Sequence, residues 1–453
     1  MRPSLPSLHS PALKLPSLAR RSHAGDVVGL NIEPGLVAAV KARVNGTICA
    51  ERAAVQPLAA DVVREGEVLD VDALTESLRE LFAGSDLGKR VRVGVANQRT
   101  VMRTIDLPPV TDRKELAAAV SFQAQDQVPM PLSNAVLDFF PLGLVDTPAG
   151  SRQRVVLVAA QRDMVERLLS AVRAAGLTPE GVDLSAFALI RSLHDRAESE
   201  DGRALYLNID GLTNLAIAEG TVCRFTRVIG GGVEAMAGEL AARREVSLSE
   251  ARALLSTVDL SSAPAHDTNV EASSGQVPAD AAAAEAGEDV HAGQAAADGL
   301  RADAQLPDEQ PPVGEQETLS REQHEAQERA MGYAEAIAAA QAAAESSQPT
   351  VQPEGLSDAD IRRVLENGVR EIAGEVRNSL DFHRTQEQGG EVSHVALSGA
   401  ALDLPGFAEA LQAALGMEVR QQTVGLVDAS LEGKVSTHRL AIAAGLATTE
   451  APQ

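Results

Sequence analysis

The stretch VVGLNIEPGLVAAV, Val27 to Val40, reads as a buried strand, a tight turn and a second buried strand. A backbone approaches a phosphate in this way, because amides in a tight turn form a concave nest for an anion and a glycine lets the anion come close. The turn itself fits that chemistry badly. Asn31, Glu33 and Pro34 stand where a phosphate-binding hairpin favours Asp, Gly and a small hydroxyl, although Gly35 follows. Either the chain handles a nucleotide or it keeps only the shape of one that did.

Two further stretches pair a strand with a small-residue turn: YLNIDGLTN, Tyr206 to Asn214, and LSGAAL, Leu397 to Leu402. A single strand ending in such a turn is most often plain connectivity. Three in this order and spacing strengthen one another as phosphate cradles.

Strands and helices alternate around them from Asp26 to about Ser256. RVRVGVANQRTVMRTIDLP reads as two strands, and TDRKELAAAVSFQAQDQVP as a helix capped by Thr111 or Asp112 and closed by Pro129. RVVLVAAQ is a short buried strand. In RDMVERLLSAVRAAGL, Met164, Leu168, Ala171 and Val172 share one helical face and Gly176 is a stop. After Gly355 a long helix places Ile361, Leu365, Val369, Ile372 and Val376 on one side, and STHRLAIAAGLA closes the fold as an Ala-rich helix.

Two segments depart from this pattern. Residues 1–25 repeat Pro-Ser/Ala-Leu units with Arg2, Lys14, Arg20 and Arg21, and Pro at that density blocks a helix. They are expected to form an extended tail. Residues 257–355 are rich in Ala, Glu, Asp, Gln, Ser and Pro, with too few large apolar side chains to offset ordering entropy. This segment is expected to be a disordered insert, with REQHEAQERAMGYAEAIAAAQAAAE as its one helix-forming piece.

Composition bounds the rest. At 453 residues the chain holds about two to four folding units. It is 44% hydrophobic but only 2% aromatic, with no Trp, so its cores are built of Leu, Val, Ile and Ala. No run approaches the ~18 apolar residues of a membrane span. Cys49 and Cys223 give neither a disulfide framework nor a CxxC pair, which fits a reducing, cytoplasmic setting. The net charge is −24, of which residues 256–355 carry −16, from 19 Asp and Glu against 3 Arg. The acidity therefore belongs to the insert, and no basic face suggests nucleic acid. The His residues show no metal spacing, so no metal site is expected.

In order and content the chain resembles the actin/Hsp70/sugar-kinase superfamily, and within it the PilM family of type IV pilus assembly, relatives of the division protein FtsA. The resemblance runs from Val27 to about Leu446 outside the insert. It is carried by RTIDLPPVTDRKELAAAVSFQAQDQVPMPLSNAVLDFFPLG, VVLVAAQRDMVERLLSAVRAAGLTPEGVDLSAFALIRSL, CRFTRVIGGGVEAMAGELAARREVSLSEARAL and LSGAALDLPGFAEALQAALG. It implies an α/β actin-like fold with two related halves and an inserted FtsA/PilM-type subdomain. The first actin-like subdomain would combine 26–89, 178–202 and 436–449, with the inserted subdomain at 90–177. The second half would take 203–240 and 391–435, with a last subdomain from 241–256 and 356–390.

The resemblance also makes the departures legible. The family's first loop resembles Asp-Ile-Gly, then Ser-rich residues and Val-Lys. Here it is Asn31-Ile32-Glu33, Pro34-Gly35-Leu36 and Val37-Ala38. The second loop has Asn208-Ile209-Asp210 before Gly211, and the third has Gly399-Ala400 for Gly-Gly. An acid ~4 Å from a phosphate charge costs roughly 4 kcal/mol at an effective dielectric of about 20, about a thousandfold in affinity. Mg²⁺ prefers carboxylates placed to hold it with its waters, and both usual Asp positions are amides. The expectation is a vestigial nucleotide site with no catalytic residue, and ATP with Mg²⁺ retained only if the altered loops still bind it.

The functional expectation is a scaffold of a type IV pilus, or a related secretion or competence machine, peripheral to the cytoplasmic membrane through its partners. By resemblance it docks the cytoplasmic N-terminal peptide of a single-pass, PilN-like membrane protein, beside other pilus inner-membrane components. Arg103, Leu107 and Pro108, with the helix from Asp112 to Val128, are the candidate groove residues. Self-association is left open. The alternatives are an active ATPase or phosphotransferase of the same superfamily, and an FtsA-like division protein. The first lacks a base, since Asn31 accepts no proton and Glu33 is expected to be a solvated turn carboxylate. The second is expected to end in an amphipathic membrane helix, where this chain reads GLATTEAPQ.

Overall fold

In the computed structural model, residues 27–110, 112–148, 150–195, 202–262, 358–386, 390–433 and 435–448 are described. The expected Pro-rich tail and nearly all of the expected insert lie outside them.

The opening hairpins give β1 (Val28–Glu33), β2 (Leu36–Asn45) and β3 (Thr47–Pro57). A small ribbon follows, β4 (Val63–Arg64) with β5 (Glu67–Val68), then α1 (Val71–Ala83) and β6 (Arg90–Val95). Next come β7 (Val101–Leu107), α2 (Arg113–Gln127), β8 (Ala135–Thr147) and β9 (Gly150–Gln161). The chain returns through α3 (Arg162–Ala174), β10 (Thr178–Leu184) and α4 (Ser185–Leu193). Its second part holds β11 (Arg203–Ile209), β12 (Thr213–Glu219), β13 (Val222–Ile229), α5 (Val233–Arg244) and α6 (Leu248–Leu255). It ends with α7 (Asp358–Thr385), β14 (His394–Ser398), α8 (Phe407–Leu415), β15 (Val419–Gln421), β16 (Gly425–Leu426) and α9 (Ala441–Leu446).

The sheets reveal a duplication. One runs β10-β6-β1-β2-β3-β16 and the other β13-β12-β11-β14-β15. In each, an antiparallel meander (β1 to β3, or β11 to β13) is extended on its first strand by parallel pairing, to β6 and β10 or to β14 and β15. β16 is an addition at the edge of the first sheet, pairing parallel to β3. The three-stranded sheet β7-β9-β8 is separate from both.

Small side chains let the halves meet. Between the two sheets lies a core of Ala38, Ala50, Ala188, Tyr206, Ala216 and Ala443, with α4 and α9 as its filling. Backbone approaches so closely there that a Cβ on Gly29 would fall 1.8 Å from the Ala443 carbonyl oxygen. α1 and α3 cover the outer face of the first sheet, and α3 buries Met164, Val165, Leu168, Ala171 and Val172 before Gly176 turns at φ +79°. α5 to α8 cover the outer face of the second.

Several expected boundaries differ. The separate sheet with its helix takes 101–161, not 90–177: β6 pairs with β1 and β10, and α3 packs in the first-sheet core. α6 and α7 share one core with the second sheet instead of forming a subdomain apart. β16, expected in the second half, belongs to the first sheet. Residues 257–262, expected in the insert, are placed: Val258 is buried in the second core and the Leu260 amide donates to the Pro405 carbonyl at 2.9 Å.

Candidate functional site

β1 ends in Asn31-Ile32-Glu33, and β11 ends in Asn208-Ile209 with Asp210 next in the turn. Residues i and i+2 of a strand share a face, so each amide lies beside its acid. Asn31 Nδ2 donates to Glu33 Oε1 at 3.3 Å, and Asn208 Nδ2 donates to Asp210 Oδ2 at 2.9 Å. All four side chains point inward, Glu33 1% and Asp210 2% exposed.

Their other bonds differ. Glu33 reaches into the second half, where Asn214 Nδ2 donates to Oε1 at 3.2 Å and the Leu212 amide to Oε2 at 3.5 Å. Asp210 accepts the Ala400 amide at 2.6 Å, and the Ser398 hydroxyl donates to Asn208 Oδ1 at 2.9 Å. Two backbone donors of the second and third loops therefore meet carboxylates belonging to the protein itself.

The glycines serve the same closeness. Gly35 sits at φ +83° in the β1–β2 turn, and a Cβ there would lie 2.5 Å from the Glu234 carboxylate. A Cβ on Gly211 would lie 2.1 Å from the Pro34 carbonyl oxygen, so the two hairpin turns abut. Gly399, at φ +97°, packs on the Ile209 backbone, and Ala400 is buried. The structure thus brings together all eight nucleotide-site candidates, Asn31, Glu33, Gly35, Asn208, Asp210, Gly211, Gly399 and Ala400, and buries them.

Burial first, and repulsion by Asp210 second, push the Glu33 carboxyl up to about 8, against its bonds from Asn31, Leu212 and Asn214. Burial also raises Asp210, against the pull of Asn208, Arg439, the Ala400 amide and His438. Arg439 and His438 are gathered by Asp403, at 2.6 Å (Nε to Oδ2) and 2.7 Å (Nε2 to Oδ1).

Sequence reasoning singled out none of Asn214, Glu234, Asp403, His438 and Arg439. Asn214 lies in the second loop stretch and faces inward. Glu234, Asp403, His438 and Arg439 also lie in stretches named above, but no local spacing sets them apart there. Of the groove candidates, Arg103 and Pro108 are exposed, but Leu107 is buried with Ile105 and Leu116 in the small core under α2. Leu107 supports that strand and presents no side chain to a partner. A separate cavity of about 640 Å³ lies between α5 and α7, with Gln98, Arg227 and Gly230 at its wall, and no nucleotide-site candidate lines it. Among the described residues, no group of three or more His, Cys, Asp and Glu is placed to hold a metal. Nor, among them, is any helix long and apolar enough to cross a membrane.

Duplicated sheets, each a meander continued by parallel strands, with the two hairpin turns meeting at the centre, define an actin-like protein. The solved PilM–PilN type IV pilus biogenesis complex has this fold: it is similar at 21% identity, over 93% of this chain and 97% of that one, with a TM-score of 0.62. Fainter likenesses are the ethanolamine utilization protein EutJ of Carboxydothermus hydrogenoformans (14% identity, 93% and 88% covered, TM-score 0.43) and ADP-bound MreB5 of Spiroplasma citri (10%, 92% and 94%, 0.40). The family model of type IV pilus assembly protein PilM matches residues 29–252.

Proposed function

We propose that this protein is a cytoplasmic, actin-like scaffold of type IV pilus assembly, or of a related secretion or competence machine, whose central site neither binds nor hydrolyses ATP. The match of the PilM family model to residues 29–252 supports the pilus assignment. The observation that carries the rest is that Glu33 and Asp210 accept from the Leu212 and Ala400 amides inside a sealed site. Those donors face the protein's own anions, and the turns touch where phosphates would need room. A Mg-nucleotide does not fit this residue set: it would meet two acids, no lysine from the first loop, and amides at both positions where a metal needs carboxylates.

The partner we infer is the cytoplasmic N-terminal peptide of a PilN-like single-pass membrane protein, which holds the scaffold at the membrane. The similarity to a PilM–PilN complex supports it. The exposure of Arg103 and Pro108 supports a groove beside the three-stranded sheet. Binding there needs no nucleotide.

Two measurements test this reading. Calorimetry with Mg-ATP is expected to show no micromolar binding, and a phosphate-release assay no turnover. Affinity purification from membranes is expected to recover the membrane partner equally with and without ATP. Micromolar ATP affinity in the unmodified protein would overturn the closed site. Capture that required ATP would overturn the nucleotide-independent scaffold.

A further inference from the structure

We propose that the two halves are latched by one proton retained by the buried pair Glu33 and Asp210, so that closure of the central site is coupled to proton uptake. The geometry carries the proposal. Glu33 belongs to the first sheet, yet its carboxyl is fixed from the second half, by Asn214 and the Leu212 amide. Asn31, Asn214 and the Leu212 amide all donate to Glu33, which favours its ionised form, but all three are neutral and bring no counter-charge.

The surrounding charges leave that need unmet. Asp210, on the turn after β11, repels Glu33. Glu234, on the first turn of α5 and against Gly35, is neutralised by Arg252 of α6 through contacts of 2.7 and 2.6 Å. Arg439 and His438, before α9, act on Asp210 and are themselves bound by Asp403. Among the described residues no cation is paired with Glu33. Two like-charged carboxyls sealed from water do not both ionise, so one proton stays while the halves are closed. When the halves part, water reaches both acids and the proton leaves.

The proposal does not depend on the pilus role and concerns protons, not nucleotides, so each can fail alone. Its test is hydrogen exchange by mass spectrometry on the full chain, corrected for intrinsic rates, following peptides that contain Leu212 and Ala400. The closed state holds a proton that the open state releases, so the opening constant should rise about tenfold per pH unit between about pH 6 and pH 8, then level off. Glu33→Gln, which keeps the acceptor oxygen and carries no charge, should open to the same small extent across that range. Asp210→Asn removes the repulsion but not the burial, so its rise should stop at a lower pH. It also reads out the latch if Glu33→Gln folds poorly. A wild-type opening constant that does not change from about pH 6 to 8, or an undiminished rise in Glu33→Gln, would overturn the latch.

Discussion

β1 and β11 occupy the same place in their sheets and carry the same Asn-Ile-acid pattern at their ends, but their acids lie in different surroundings. Glu33, one methylene longer, crosses to the other half and accepts from Asn214 and Leu212, with no cation paired to it among the described residues. Asp210 stays within its own half, on the Asn208 side chain and the Ala400 amide, in the field of Arg439 and His438. The duplicated topology therefore does not make the halves equivalent at the centre. One acid ties the halves together and the other organises a loop. A second contrast follows the same register: Gly29 on β1 corresponds to Tyr206 on β11, both facing the Ala-rich core between the sheets. The first half makes room for α9 where the second fills space with a ring.

The largest effect is expected where that contrast is broken. In Gly29→Ala the new methyl would lie 1.8 Å from the Ala443 carbonyl oxygen and 2.6 Å from the Ala447 nitrogen, and backbone atoms yield little. Overpacking of this kind costs about 3 kcal/mol. Thermal unfolding should show the corresponding loss of Tm. A loss under about 1 kcal/mol would mean that α9 shifts freely and that the core between the sheets is loosely held.

The two acids come next. Glu33 has its native pKa raised to about 8 from an ordinary 4.5, so the native state holds a proton that the unfolded chain releases. Its contribution is complete below the lower value and is lost as pH rises through the upper one. Glu33→Gln should therefore leave stability unchanged near pH 4.5 and raise it by about 2 kcal/mol near pH 9. Burial shifts Asp210 in the same direction, so Asp210→Asn should also gain as pH rises. Denaturant unfolding of both variants across that range checks the sign. A Glu33→Gln protein no more stable than the wild type near pH 9 would mean that Glu33 ionises in the folded protein without cost.

How far the sequence reveals this depends on the range of the interaction. Periodicity is local, so the buried face of α3 and the Asp112 cap of α2, which accepts from the Lys114 and Glu115 amides, are legible residue by residue. Burial of Glu33 is not legible: a carboxylate beside a turn is expected to be solvated, and this one is sealed because Asn214 and the Leu212 amide of the other half cover it. Sheet membership is not local. An apolar strand such as β6 reads alike whether it joins β1 or β7, which is why the expected 90–177 subdomain shrinks to 101–161. Two-residue β16 is too short to carry a pattern, and the small residues at 257–262 resemble the acidic segment in composition while Val258 is buried in a core. Asp403 meets His438 and Arg439 across 35 and 36 positions, beyond any spacing rule.

A smaller effect belongs to the second half alone. The Ser247 hydroxyl accepts the Glu250 amide at 3.3 Å, and the Glu250 carboxylate accepts the Ser247 amide at 3.1 Å, a reciprocal cap on α6. Ser247→Ala should cost about 1 kcal/mol, seen as a lower denaturation midpoint with an unchanged slope. No loss would mean that packing of Ala251 and Leu255 alone holds α6 in place.

The smallest effect reverses the sign of the first. Gly374 lies inside α7, and a Cβ built on it meets nothing within 4 Å, the opposite of Gly29. With space available and helical backbone angles, Ala there removes freedom from the unfolded chain without straining the folded one. Gly374→Ala should therefore stabilise by about 0.7 kcal/mol. A single temperature scan of the two glycine variants would show Tm moving in opposite directions. If Gly374→Ala instead lowered Tm, then the wall of the cavity between α5 and α7, which Gly374 lines, would have to close on that position in solution, and the contrast between a crowded strand glycine and an open helix glycine would fail.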